Sequence, residues 1–250
     1  MQDLAGKKAV VTGGSRGLGL GIVEALLTRK AQVTVVARDA QRLAEVAERL
    51  GVDTIQGDVR EEAVARDVLE SVRPTLLVLN AGALPNLAPI QDQTWAGFSR
   101  VWDNDVKAGF HWVQQALRVP LAPGSRVLIG SSGAAINGSP LSGGYAGAKR
   151  MLWLLAQYAS GASKELELGI RFQAIVPRQI IGDTEHGRVA AQAYAKRKGV
   201  SVDAFLAGFG APMPPRVVGE HVARILTEPQ YESGLAFGLK GDTGIVLLDE

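Results

Sequence analysis

Between Lys8 and Pro177, short apolar segments of strand type alternate with helix-type stretches, with no proline- or glycine-rich linker, repeat or low-complexity run among them. No other feature narrows the choice of fold so far. The strand-type segments are Lys8–Thr12, Gln32–Ala37, 54–59, Leu76–Leu79, a run from Val127 ending at Ser132, and 171–176, which stops at Pro177. Helices are expected through Leu20, Ile22, Val23, Ala25, Leu26 and Leu27, over 39–50 with Asp39 as N-cap, and over 61–72, 95–117 and 145–168. Strands apolar at consecutive positions suit a parallel sheet covered on both faces. The pattern predicts an α/β chain with one domain over residues 1–250. Its core is a doubly wound parallel sheet of about seven strands, joined by right-handed crossovers.

The 250 residues are 46% hydrophobic and 21% charged, enough apolar material for one full core. Net charge is only +2 and no lysine or arginine run stands out, so nucleic acid is not an expected partner. Cysteine is absent, which removes disulfides and thiolate chemistry, and His111, His186 and His221 are widely scattered, so no metal site is expected. The first residues lack a basic-then-apolar leader and no apolar run is long enough to span a bilayer. A cytoplasmic protein without a membrane partner is the expectation.

In such a sheet, ligands sit outside the carboxyl ends of the strands. The unusual polar residues cluster at those positions: 12–19, Arg38, Asp58, Asn80, Ser132 and Pro177. After the first strand comes Gly13-Gly14-Ser15-Arg16-Gly17-Leu18-Gly19, leading into a helix. Backbone N–H groups at a helix's positive end can approach a pyrophosphate when no side chain blocks them. An acidic residue after the second strand would accept a bond from an adenine-ribose 2′-OH and favour NAD. Here Ala37 is followed by Arg38, and Arg16 offers a second guanidinium. Two such groups suit a 2′-phosphate, so NADP(H) is favoured over NAD(H). The alternative for Arg38 is a solvated residue pairing with Asp39.

The stretch 127–149 carries the other chemistry. Val127, Leu128 and Ile129 end at two hydroxyls, Ser131 and Ser132; a glycine-rich loop follows, then a helix with Tyr145 and Lys149. Residues four apart share a helix face, which sets a phenol beside an ammonium.

Taken in order, the 12–19 loop, Asp58-Val59, Asn80-Ala81-Gly82, Ser132 and Tyr145-x-x-x-Lys149 resemble the short-chain dehydrogenases/reductases over about residues 5–180. These are single-domain proteins of Rossmann type. Ser132 stands at the family's usual distance before Tyr145, which selects it over Ser131. The resemblance implies that Tyr145 gives a proton to a carbonyl oxygen, or takes it from the alcohol. Lys149 would lower the phenol's pKa from its free value near ~10 and hold the nicotinamide ribose, and Ser132 would bond the reacting oxygen. It further implies a cofactor surface of Gly13, Ser15, Arg16, Gly17, Leu18, Gly19, Arg38, Asp58, Val59, Asn80, Ala81, Gly82, Tyr145, Lys149, Pro177 and Ile180.

Four features depart from the family pattern. Asp105, after Asn104, stands at the register of an Asn that shapes a proton relay, and either substitutes for it or alters the relay. Arg178 replaces the glycine expected after Pro177; its long cationic side chain either reaches an acidic group or, as favoured here, points to solvent. Gly182 stands where a Thr is usual, with Thr184 two positions on, and the C-terminal segment lacks the common Val-Asp-Gly-Gly ending.

Residues 183–216 interrupt the alternation and are expected to form a substrate lid. It mixes a basic helix with an apolar piece (Phe205, Leu206, Phe209), which suggests a largely apolar pocket for a small carbonyl or alcohol substrate. Met151, Leu152, Trp153, Leu154, Leu155 and Ala156 are apolar all round, and Trp102 and Trp112 add surplus on the preceding helix. A homodimer or homotetramer through the 95–117 and 145–168 helices is therefore expected. The function expected is an NADPH-dependent oxidoreductase interconverting carbonyl and alcohol, a 3-oxoacyl thioester reductase being one candidate within it. A dinucleotide-binding regulator without turnover is the alternative, and loss of Tyr145 or Lys149 would have been its mark.

Overall fold

The computed structural model describes residues 3–209, 211–241 and 243–248. Six parallel strands match the six apolar segments: β1 (Lys8–Thr12), β2 (Gln32–Ala37), β3 (Asp53–Gln56), β4 (Leu76–Leu79), β5 (Arg126–Gly130) and β6 (Arg171–Pro177). Two more follow, β7 (Ala236–Lys240), parallel to β6, and β8 (Gly244–Leu247), antiparallel to β7. The sheet order is β3-β2-β1-β4-β5-β6-β7-β8. Eight strands rather than about seven are present because the last apolar run folds back as a hairpin partner, which needs no crossover helix.

The first helices lie where the alternation put them: α1 (Gly17–Thr28), α2 (Ala40–Leu50) and α3 (Glu62–Val72). Asp39 caps α2 as expected, its carboxylate accepting from Arg42 N–H at 3.1 Å. The single helix expected over 95–117 is instead α4 (Trp95–Val101), a π-helical turn (Trp102–Val106) and α5 (Lys107–Arg118). After the short α6 (Ala134–Asn137), α7 (Tyr145–Glu165) ends three residues before its expected limit. Glu167 there takes φ +54°, and Leu168 N–H closes back on Ser163 O at 2.9 Å. The chain continues through α8 (Glu185–Lys198), α9 (Val202–Phe209) and α10 (Pro215–Thr227).

Alternation of side chains along each strand feeds two cores, one per face. On β1, Ala9 and Val11 join α1, α2 and α10 through Ile22, Leu26, Leu43, Val222 and Ile225, whereas Val10 joins α3, α5 and α7 through Leu69, Trp112 and Leu152. α1 meets α10 at bare backbone: a Cβ on Gly219 would lie 2.1 Å from Gly21 O. Trp112 is fully buried and donates from Nε1 to Val59 O at 3.0 Å, so it belongs to the core rather than to surplus surface. Among the described residues no helix is long and apolar enough to cross a membrane.

β1 and β4 are neighbours, and the chain leaves them toward opposite edges of the sheet. This switch point opens a crevice at the carboxyl ends of the strands. The 12–19 loop, Arg38, Asp58, Asn80, Ser132 and Pro177 stand at strand ends or just after them, whereas Tyr145 and Lys149 come from α7 and Asp105 from the π-helical turn.

Candidate active site

Thr12 organises the floor of the crevice. Its hydroxyl accepts from the N–H groups of Asn80 (3.0 Å) and Ala81 (3.2 Å), tying the end of β1 to the turn after β4. The glycine loop follows. Arg16 stands at the N-cap of α1 and supplies no side-chain cap, so the first-turn N–H groups face the crevice without a side-chain acceptor. A Cβ on Gly19 would lie 2.2 Å from Gly13 O, so only glycine lets α1 come this close to its own loop. An uncapped, positively polarised helix end in a cradle that side chains would fill fits a dinucleotide pyrophosphate. Gly13, Ser15, Arg16, Gly17, Leu18 and Gly19 are the residues that would hold it.

Arg38 is exposed, and among the described residues its guanidinium has no ion-pair partner. Asp39, the alternative partner, is taken by Arg42 at 3.3 Å. Arg16 pairs with Glu185 of α8 at 2.7 Å. Asp58 is gripped by Arg60, Nη2 to Oδ2 at 2.6 Å, and Val59 O receives Trp112. The Arg60 bond, ahead of the opposing effect of burial, brings the Asp58 carboxyl down to about 2, with Arg38 adding a smaller pull.

Tyr145 and Lys149 sit one turn apart on α7, both buried. Lys149 Nζ meets Asp105 Oδ2 at 2.9 Å, with side chains 10% and 1% exposed, and reaches Gly130 O at 3.4 Å. Asp105 projects from the π-helical turn, and its other oxygen accepts from Ala83 N–H at 2.7 Å, fixing the Asn80-Ala81-Gly82 turn as well. Burial pulls the Lys149 ammonium's pKa down, but the Asp105 carboxylate and Tyr145 outweigh it and the net direction is up. Asp105 is thus wired directly to Lys149.

Of the two serines, Ser131 is committed: its hydroxyl donates to Lys149 O at 2.8 Å and steadies α7. Ser132 Oγ only accepts a long bond from Ala134 N–H at 3.3 Å. Pro177 is buried at the end of β6, and Ile180 packs toward Ala191, Ala195 and Phe205. Arg178 is exposed, its stem passing beside Gly238 of β7. Thr184 caps α8, accepting from Gly187 N–H at 3.0 Å, and its methyl approaches Gly17 of the phosphate loop. A cavity of about 520 Å³ lies against the β6–α8 connection, lined by Ile180, Gly182, Thr184, Arg188, Ala191 and Leu206. Phe205 is buried, and the Phe209 side chain lies outside the described residues.

Sequence reasoning assigned no role to His186. Its ring lies 5.2 Å from that of Tyr145, tilted by 43°. The available signal was a polar aromatic residue in the first turn of the helix leaving β6. Among the described residues no group of three or more His, Cys, Asp or Glu is placed to hold a metal ion.

The family model for short chain dehydrogenase matches residues 7–193. The chain is 34% identical to galactitol 2-dehydrogenase of Rhizobium johnstonii over 190 residues, covering 71% of this chain and 73% of that protein. It is 37% identical over 124 residues to the rhamnolipids biosynthesis 3-oxoacyl-[acyl-carrier-protein] reductase of Pseudomonas aeruginosa, a match spanning 46% of this chain and 48% of that protein. The fold resembles L-sorbose reductase from Gluconobacter frateurii, solved with NADPH and L-sorbose, at TM-score 0.78 and 23% identity over 96% of this chain and 97% of that one. The chain belongs to the short-chain dehydrogenase family, nicotinamide-dinucleotide oxidoreductases acting between carbonyl and alcohol.

Proposed function

We propose that the protein is an NADPH-dependent carbonyl reductase, running in reverse as an alcohol dehydrogenase, with Tyr145 as its proton donor and acceptor. The observation that carries this is the pairing of Tyr145 and Lys149 on one buried face of α7, in a chain whose glycine loop enters α1 without a side-chain cap. A dinucleotide held by the Gly13–Gly19 loop and Lys149 would supply the hydride chemistry. Tyr145 delivers a proton to the oxygen, so C=O plus hydride plus proton gives the alcohol. Ser132, whose hydroxyl the protein leaves largely free, bonds that oxygen. Lys149, anchored by Asp105, holds the ribose and a positive charge beside the phenol.

NADP(H) is preferred over NAD(H) because β2 ends at Ala37 and is followed first by Arg38 rather than an acidic residue, and the Arg38 guanidinium has no ion-pair partner among the described residues. Arg16 joins it once released from Glu185. Residues 183–216 act as the lid, since Thr184 and Glu185 already touch the phosphate loop. The protein works as a homo-oligomer through the α4–α5 stretch and α7.

The test is thermal shift with equal concentrations of NADPH and NADH, followed by NADPH oxidation against a panel of carbonyl compounds. NADPH should raise the melting temperature more than NADH, because a ligand held only by the folded state stabilises it by mass action. Tyr145→Phe should keep that shift and lose at least ~100-fold in turnover. Residual activity within a few fold of the parent would remove Tyr145 from the proton path.

A further inference from the structure

The first turn of α8 is pinned to the cofactor side of the crevice. Thr184 caps it and lies beside Gly17, and Glu185 holds Arg16 at 2.7 Å. These two contacts fix the direction of the next residue. His186 is turned onto α7, its ring 5.2 Å from Tyr145, half-buried and without a hydrogen bond to any described residue. Glu185 and Arg188 on the same helix, and Asp183 before it, are exposed.

Burial, then the Lys149 cation, push the His186 pKa below its ordinary value, against a weaker opposing pull from Asp105. At neutral pH the imidazole is uncharged, so one ring nitrogen donates and the other accepts. The Lys149 ammonium is already paired with Asp105 at 2.9 Å. A carboxylate brought here would lose its hydration for little return. An alkyl group laid over the imidazole would leave its N–H and its lone pair unpaired, at a cost of ~1–3 kcal/mol. A neutral hydroxyl can donate to the bare ring nitrogen or accept from the N–H, so it offsets part of that cost without bringing in a charge.

Resting on the reading of Tyr145 as the proton donor, we infer that His186 is a specificity-determining residue that hydrogen-bonds a neutral hydroxyl on the carbon next to the reacting carbonyl. The substrates are hydroxyketones and the polyols they yield, not simple alkyl ketones or oxo acids.

The experiment compares kcat/KM for 1-hydroxy-2-butanone and 2-butanone, with NADPH, in the parent and in His186→Phe. Phenylalanine keeps a ring against Tyr145 and removes both nitrogens. The parent should prefer the hydroxyketone, and the ratio should fall by about 10-fold or more in the variant. Because His186 does not touch the reacting atoms, most of the loss should appear in KM. If His186→Phe does not fold, His186→Ala carries the same expectation for the ratio. A ratio unchanged within twofold, whether both activities fall together or neither does, overturns the role of His186 and leaves Tyr145 standing. A folded parent that binds NADPH but reduces neither ketone overturns this inference, whereas loss of the Tyr145 reading is diagnosed separately by Tyr145→Phe on any accepted carbonyl.

Discussion

The charge on Lys149 is answered by Asp105, and the pair is almost wholly removed from water, with side chains 10% and 1% exposed. Removing one member of such a pair strands the other. Lys149→Met should therefore destabilise the protein by about 3 kcal/mol or more, seen as a lower urea midpoint. Adding Asp105→Asn should restore most of that loss, because the buried carboxylate is then gone. A double variant no more stable than Lys149→Met would show that the charges are not what holds α7 to the π-helical turn. The ammonium is held above its usual value, so its contribution is complete below the unfolded lysine pKa and fades as pH rises through the folded one. The gap between parent and double variant should close on the alkaline side. The position of Asp105 was readable from its place before Lys107 and Phe110, and so was its departure from asparagine. Its partner was not, since that contact spans two helices brought together only by packing over the sheet. His186 was hidden for the same reason: nothing local in the sequence says that the turn after β6 folds back over Tyr145.

Elements with one strong period were legible to within a few residues. β2, β4 and α2 follow directly from apolar runs and from the Asp39 cap. The break in the helix from Trp95 was not legible, because a π-helical turn inserts a residue without disturbing the apolar pattern on either side. β8 was missed because its run was judged against a family ending rather than as a hairpin partner of β7. The close approach of α1 and α10 also escaped, being written only as two glycines far apart in sequence. It has a measurable consequence. A methyl on Gly219 would stand 2.1 Å from the Gly21 carbonyl, a backbone atom that cannot swing away, and 3.1 Å from Ala25 Cβ. Gly219→Ala should cost about 1–3 kcal/mol by forcing the helices apart, although alanine has the higher helix propensity. An unchanged or higher urea midpoint would mean that α10 shifts freely and that the contact does not constrain the α1 face of the core.

On the scale of the whole molecule, the two cores account for most of the apolar surface but not all of it. Trp112, Leu152 and Trp153 are buried within the chain, so they no longer argue for a partner. The large side chains left exposed include Trp95 at 78%, Phe110 at 46% and Tyr158 at 61%, on α4, α5 and α7, and Trp102 at 38% on the π-helical turn. α5 and α7 pack closely against each other: a Cβ on Gly109 would lie 2.5 Å from Leu152 Cδ2. Large exposed aromatic side chains are the groups a second copy of the chain would cover. Light scattering should give a mass at least twice the 26.4 kDa of one chain. Phe110→Asp combined with Tyr158→Asp should return the mass to that of one chain, since each carboxylate would have to lose its hydration on association. The circular dichroism spectrum should be unchanged, because neither side chain contributes to the buried cores. Melting of the parent should rise with protein concentration, and that of the double variant should not. A parent of 26.4 kDa at micromolar concentration would refute the interface, and would leave the exposed aromatics of α5 and α7 for a different partner.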